Sequence, residues 1–299
     1  MHRKPSGMRS ALRRDYRLGA SGSVRGPPRF AVPCRMDLDD AIAWISSDAD
    51  EMGSLLGEAE PDQPVPACPG WSAADLSRHI AGGFSAWYLY NISTPAEDWA
   101  PEGLMARMAT VTDDHGANVQ IFQAAAAEFT NICAELDLDE PTWSFGGIEP
   151  ARWWVRRAAV ELTVHLTDAA GIHGRRASTT PERHAEAVDE TTTEMFPRMA
   201  AVTATMNAVT GGDSAVPDPP DRPAALVTDD TDRAWTLTRA ADGTTRTTRG
   251  LGGDVLAVGR ASSADVLAWL WGRPMTTLLT IDGDADLLDE WNLFQRSPL

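Results

Sequence analysis

The chain is predicted to be α+β: an antiparallel four-helix bundle followed by a small α/β domain. Three observations predict it. Apolar residues recur at helical spacing in four long segments between residues 37 and 174. A Gly-, Pro- and Asp-rich stretch, TGGDSAVPDPPDR, then interrupts the pattern. Beyond it the period shortens to the alternation of a strand in 234–238 (AWTLT) and 244–249 (TTRTTR). The expected divisions are 1–35, a disordered basic tail or a mis-annotated start with Met36 as the true first residue; 36–210, the helical bundle; 211–222, a linker; and 223–299, the α+β domain.

The first helix is expected over 37–56, on a stripe of Ala41, Ile42, Ile45, Met52, Leu55 and Leu56. The Pro-rich 57–70 is a loop. The second helix starts at Ser72, an N-cap with Asp75 three residues on, an acidic variant of the capping box. It runs to about Asn91 and places His79 on its core side with Leu76, Gly83 and Ala86. A third helix is expected over 104–136, a turn over 141–150, and a fourth helix from Trp153 to the glycines Gly171–Gly174. A fifth, 181–209, opens with Pro181 in its first turn. The C-terminal part reads as a hairpin turning at AADG, a strand over 254–259, a helix over 264–271 begun by Ser262, Ser263 and Asp265, a short strand over 278–281 and a last helix over 284–293.

Charge and cysteine content narrow the class. The net charge is −17 and is unevenly spread: residues 1–35 hold 9 of the 26 Lys and Arg and 1 of the 43 acids. An acidic body is a poor partner for nucleic acid, because phosphate contacts need clustered bases. No run of about 18 apolar residues is present, so no transmembrane helix is expected. Three cysteines, Cys34, Cys68 and Cys133, are too few and odd in number for a disulfide framework and fit a reducing cytoplasm.

The stretch 153–168, WWVRRAAVELTVHLTD, carries the chemistry. Glu161 and His165 are one helical turn apart, Asp168 follows three residues later, and all three share a face with Trp154 and Ala158. A carboxylate and an imidazole on a buried face need partners. One solution is a divalent metal, with His79 as a third ligand; the other is a buried pair satisfied by an arginine such as Arg157. Asp168 has two placements open to it, as a fourth ligand or as the acceptor that holds an imidazole N–H. His115, His173 and His184 stand in polar or loop contexts and read as surface residues. Neither Cys68 nor Cys133 has an evident activating base.

PACPGWSAADLSRHIAG, which contains His79, followed by RRAAVELTVHLTDAAG (156–171), resembles the mycothiol-dependent maleylpyruvate isomerase family of actinobacteria, within the wider DinB-like metal-binding bundles. The stretches AWTLTRAADG (234–243), SSADVLAWLWGRP (262–274) and TIDGDADLLDEW (280–291) resemble that family's smaller sterol-carrier-like domain. The resemblance implies that His79, Glu161 and His165 bind a divalent metal, usually zinc, that Asp168 supports them, and that Arg273 points into the active site. It implies mycothiol as the thiol cofactor and a small electrophile as substrate, without nucleic-acid or membrane partners. Val160 stands where relatives often have His, and Leu166 and Thr167 where they often have Arg or Trp; these departures touch the pocket and not the ligands.

The implied chemistry is an isomerase or thiol S-transferase reaction in which an external thiol, activated at the metal, supplies the nucleophile and Arg273 anchors a carboxylate of substrate or thiol. Two other classes compete. A hydrolase would activate water on the same metal, with Asp168 the only candidate general base. A non-catalytic binding protein would carry a structural metal or none, and structural zinc is usually closed by four ligands.

Overall fold

The computed structural model describes residues 17–18 and 36–293. The expected tail 1–35 therefore lies outside the described residues, except for a two-residue strand β1 (Arg17–Leu18).

Helix α1 (Leu38–Glu58) is capped by Asp37, whose carboxylate accepts from the backbone of Asp39 and Asp40. Helix α2 (Ala73–Gly82) passes through a π-helical segment (Gly83–Tyr88) into α3 (Leu89–Ser93). Next come α4 (Pro101–Met108), α5 (His115–Glu135), the strands β2 (Pro141–Ser144) and β3 (Gly147–Pro150), and α6 (Arg152–Ile172). The helical part closes with α7 (Pro181–Glu190), a second π segment (Thr191–Met195) and α8 (Phe196–Thr210).

The expected four-helix bundle is present, built from α1, α2, α5 and α6 around one core that includes Ile45, Met52, Phe84, Phe122, Phe129 and Trp154, but the expectation that its neighbours all run antiparallel is corrected. Its strand of contacts fixes the directions. Ser77, Phe84 and Tyr88 meet His115, Phe122 and Phe129 in ascending order, so α2 and α5 run parallel. His79 meets His165 while Tyr88 meets Trp154, so α2 and α6 run antiparallel. Each of these helices thus has one parallel and one antiparallel neighbour, α1 lying antiparallel to α5 and parallel to α6.

Three local expectations are corrected. The third helix is two, α4 and α5, because Asp114 caps a new start with its side chain on Ala117 N and Asn118 bonds both backbone groups of Thr112. The turn at 141–150 is a β-hairpin, β2 with β3, reversed through Gly146 (φ 89°). His115 and His173 are half-buried, each giving an Nε2–H to a carbonyl at the end of α1, Leu56 O and Leu55 O, at 2.8 Å; His184 is half-buried as well.

The C-terminal sheet comprises β4 (Ala224–Thr228), β5 (Arg233–Arg239), β6 (Thr245–Arg249), β7 (Ala257–Ala261) and β8 (Thr280–Gly283), with β1 on its edge, in the order β1-β8-β7-β4-β5-β6. Helices α9 (Ser263–Leu270) and α10 (Ala285–Trp291) complete it. The central strand β4 has no expected counterpart, and the strand expected over 254–259 begins three residues later. Ala224 and Leu226 of β4 face one core and Ala225 and Val227 another. A strand covered on both faces has no alternation to read.

The sheet and the helices share a core. Val160 and Val164 of α6, Val188 of α7 and Phe196 of α8 pack with Trp235, Trp269 and Trp291. A charged seam reinforces that junction. Asp189 of α7 accepts from Arg156 of α6, from Arg249 of β6 through two nitrogens at 2.7 Å, and from the Trp235 indole at 2.7 Å. No helix among the described residues is long and apolar enough to cross a membrane.

Candidate active site

The site lies where α2 and α6 face one another. The capping box of α2 is complete: the Ser72 hydroxyl caps Asp75 N and the Asp75 carboxylate accepts from Ser72 N at 2.9 Å. This anchored first turn sends His79, one turn later, toward α6. There Glu161 and His165 project together, as their i, i+4 spacing requires.

Three side-chain atoms converge. His79 Nε2 stands 3.1 Å from His165 Nε2 and 3.3 Å from Glu161 Oε1, and His165 Nε2 stands 3.1 Å from the same oxygen. Among the described residues these three form the group of His, Cys and acidic side chains able to hold a metal ion. The donor set fits one: tetrahedral ligands at about 2.0–2.1 Å from zinc stand roughly 3.3–3.4 Å apart. His79 is the most open member, its side chain 41% exposed, and His165 is sealed at 2%.

Two of the three side chains are held from behind. Arg157 pairs with Glu161 through the other carboxylate oxygen, Oε2, and with Glu190 at 2.7 Å. Thus the arginine and the histidine partners of Glu161 coexist, one on each oxygen. Asp168, fully buried, accepts Nδ1–H of His165 at 2.9 Å. Of its two possible placements, this is the imidazole-holding one. Arg273, delivered from the end of α9 on the other half of the chain, grips Asp168 with Nε at 3.1 Å and Nη2 at 2.9 Å. The sequence-predicted residues His79, Glu161, His165, Asp168 and Arg273 are therefore one connected cluster.

The electrostatics follow from these contacts. Burial works against the charged form of His165, but hydrogen bonds to Asp168 and Glu161 outweigh it and lift its pKa to about 9. Burial also opposes ionisation of Asp168, and the bonds from His165 and Arg273 override that and lower it to about 2. Glu161 is half-buried, and although desolvation opposes its ionisation it is held well below the ordinary carboxylate value, chiefly by the Arg157 charge. His79 is shifted below the ordinary imidazole value, chiefly by desolvation at the cavity wall, with its hydrogen bond to Glu161 acting the other way.

A cavity of about 1030 Å³ opens onto the triad. Sequence reasoning missed several of its walls. Trp71 packs on His79 with ring centres 5.1 Å apart, and Trp271 stands edge-on to His165 at 6.3 Å with Arg157 over its ring. The WGR motif pointed only to the arginine. Cys68 is buried beside Asp168 and Arg273; burial first and the Asp168 charge second push its thiol up to about 12, and burial does the same to Cys133. Neither is a nucleophile in this setting.

Comparison with known proteins agrees with this architecture. Residues 43–170 match the family model of the mycothiol maleylpyruvate isomerase N-terminal domain. The chain is similar to the crystal structure of a histidine-to-alanine mutant of the mycothiol-dependent maleylpyruvate isomerase, at a TM-score of 0.55 and 15% identity over 84% of this chain and 95% of that one. A second crystal structure of that enzyme gives 0.53 and 14%, with the same coverage. No curated protein matches the sequence. The chain thus matches the model of the mycothiol maleylpyruvate isomerase N-terminal domain over residues 43–170, and the whole has the mixed helical and sheet fold of that isomerase.

Proposed function

We propose that the chain is a divalent-metal-dependent enzyme, with zinc as the metal, that uses mycothiol as its nucleophile in an isomerase or S-transferase reaction on a small-molecule electrophile. The observation that carries this reading is the convergence of His79 Nε2, His165 Nε2 and Glu161 Oε1 within 3.1–3.3 Å of one another at the wall of an open cavity. Three protein ligands leave a fourth position, which is the pattern of catalytic and not structural zinc. A metal there supplies a lowered pKa for a thiol in that position.

The chain's own residues do the rest. Asp168 keeps Nδ1 of His165 protonated, so that Nε2 faces the metal, and fixes the ring plane. Arg157 holds Glu161 by Oε2 and leaves Oε1 for the ligand role. Arg273, besides orienting Asp168, lines the cavity and serves as the anchor for an acid group of thiol or substrate. Trp71 and Trp271 flank the two histidines and limit access of water. In the isomerase form, sulfur adds to one carbon of a conjugated double bond, the resulting single bond rotates, and the same sulfur leaves. In the transferase form the sulfur–carbon bond stays and the thiol proton ends on the neighbouring carbon. The cysteine content supports a cytoplasmic setting, where a reduced thiol cofactor persists.

Hydrolysis is less well supported. Asp168, the only candidate base, is fully buried and committed to His165 and Arg273. The test is turnover of an electrophile by zinc-loaded protein. Consumption that requires mycothiol and disappears on chelation is expected; turnover at the same rate without any thiol would replace this reading with the hydrolase.

A further inference from the structure

The cavity has two chemically different ends. Asp75, Arg78, Thr112 and Asp113 line one, and all four are exposed. At the other end Trp87, Phe145, Trp154, Met195, Val202 and Met206 line a wall that is mostly buried. Along α2 and its π continuation, Arg78 and Trp87 are separated by about 13 Å at 1.5 Å per residue, with His79 on the polar side of that span. Several elements build the apolar wall: the β2–β3 hairpin places Phe145 5.3 Å from the Trp87 ring of the first π segment and 5.7 Å from Trp154 of α6, and α8 adds Val202 and Met206.

Each arginine of this cavity already has a carboxylate partner. Its arginines are Arg78, Arg157 and Arg273. Arg78 pairs with Asp113 at 2.6 Å, Arg157 with Glu161 and Glu190, and Arg273 with Asp168. Arg273 spends three of the five N–H donors of a guanidinium on Asp168 and the Trp271 carbonyl, so it keeps capacity for one anionic group. A small dicarboxylate entering here would lose its water and find one partly committed cation and a wall of rings and methionines.

Resting on the thiol-transfer reading above, we propose that the electrophile is a bulky, largely apolar molecule of at least two rings bearing at most one acid group, seated against Trp87, Phe145 and Trp154. The polar end then takes the hydroxyl-rich body of the thiol, and the two co-substrates meet from opposite sides at the triad. Methionines at 195 and 206 adapt to ring systems of different outline.

Gly83 supplies the test. It lines the cavity between the two ends, in a right-handed helical conformation open to any residue (φ −55°). A Cβ there would meet only Tyr88, at an ordinary 3.6 Å. Gly83→Met therefore fills the passage without displacing backbone, and Gly83→Ala fills less of it. The experiment is equilibrium dialysis of the full chain, with zinc and without thiol, against chalcone (a neutral two-ring enone) and against maleate. Saturable chalcone binding is expected, weakened at least about tenfold by Gly83→Met and less by Gly83→Ala, with zinc content unchanged. Maleate binding more tightly than chalcone, chalcone binding equally to Gly83→Met, or chalcone not binding, each overturns the proposal. Turnover with mycothiol is read separately. Chalcone bound but never converted, by a protein that converts no other electrophile, removes the thiol reaction and leaves the binding preference standing.

Discussion

His165 carries more of the site than any other residue, because its two nitrogens face different partners. Nε2 looks into the triad and Nδ1 is held by Asp168, which is itself clamped by Arg273. Asp168 thus acts through His165, as a positioning residue. Asp168→Asn keeps the shape but gives up the carboxylate, and zinc affinity is expected to fall about 10–100-fold while stoichiometry stays the same. Competition with a chromophoric chelator measures this; an unchanged affinity would mean that Nδ1 needs no charged acceptor. Arg157 matters equally to Glu161. Without it, the half-buried Glu161 and the buried Glu190 would lose the cation they share.

At the scale of elements, the readable parts were those determined locally. The Ser72–Asp75 capping box and the i, i+4 pair Glu161–His165 are each contained within one turn of chain, and each stands where the spacing put it. Strand β4 was invisible because both its faces are covered, which removes the alternation by which strands are recognised. The bond from Arg273 to Asp168 spans 105 residues, and no periodicity encodes it; the resemblance had indicated the arginine but not its partner. The π segments at Gly83–Tyr88 and Thr191–Met195 were read as ordinary helix. Both contribute cavity residues, Gly83, Trp87 and Tyr88 from the first and Met195 from the second, consistent with the tendency of π turns to sit at functional sites. One element is fixed by a single glycine. Gly283 closes β8 at φ 96°, and a Cβ there would collide with the Leu256 carbonyl. Gly283→Ala is therefore expected to destabilise the chain by about 1–3 kcal/mol, measured by urea unfolding; a change within about 0.5 kcal/mol would show that this turn relaxes freely.

The whole molecule is held together across the bundle–sheet junction, and the site depends on that junction because Arg273 and Trp271 arrive from the sheet side. Asp189 is the hub. Burial opposes its ionisation, but Arg249, Arg156 and Trp235 outweigh burial and keep its pKa below the ordinary 3.8. A carboxylate depressed on folding adds stability that is present above pH 3.8 and is lost as the pH falls through the lower, folded value. Asp189→Asn is expected to lower stability near neutral pH by roughly 3 kcal/mol, with the gap to wild type narrowing below pH 3.8. Denaturant unfolding at several pH values reads this out; a gap independent of pH would assign the loss to packing and not to charge. The most direct test of the account is the metal content of the full chain after dialysis against zinc, compared with His79→Ala, Glu161→Ala. About one zinc per chain, retained by the wild type and lost by the double variant, is the predicted result; no zinc in the wild type, or equal zinc in both, would contradict the central claim that these three side chains form a metal centre.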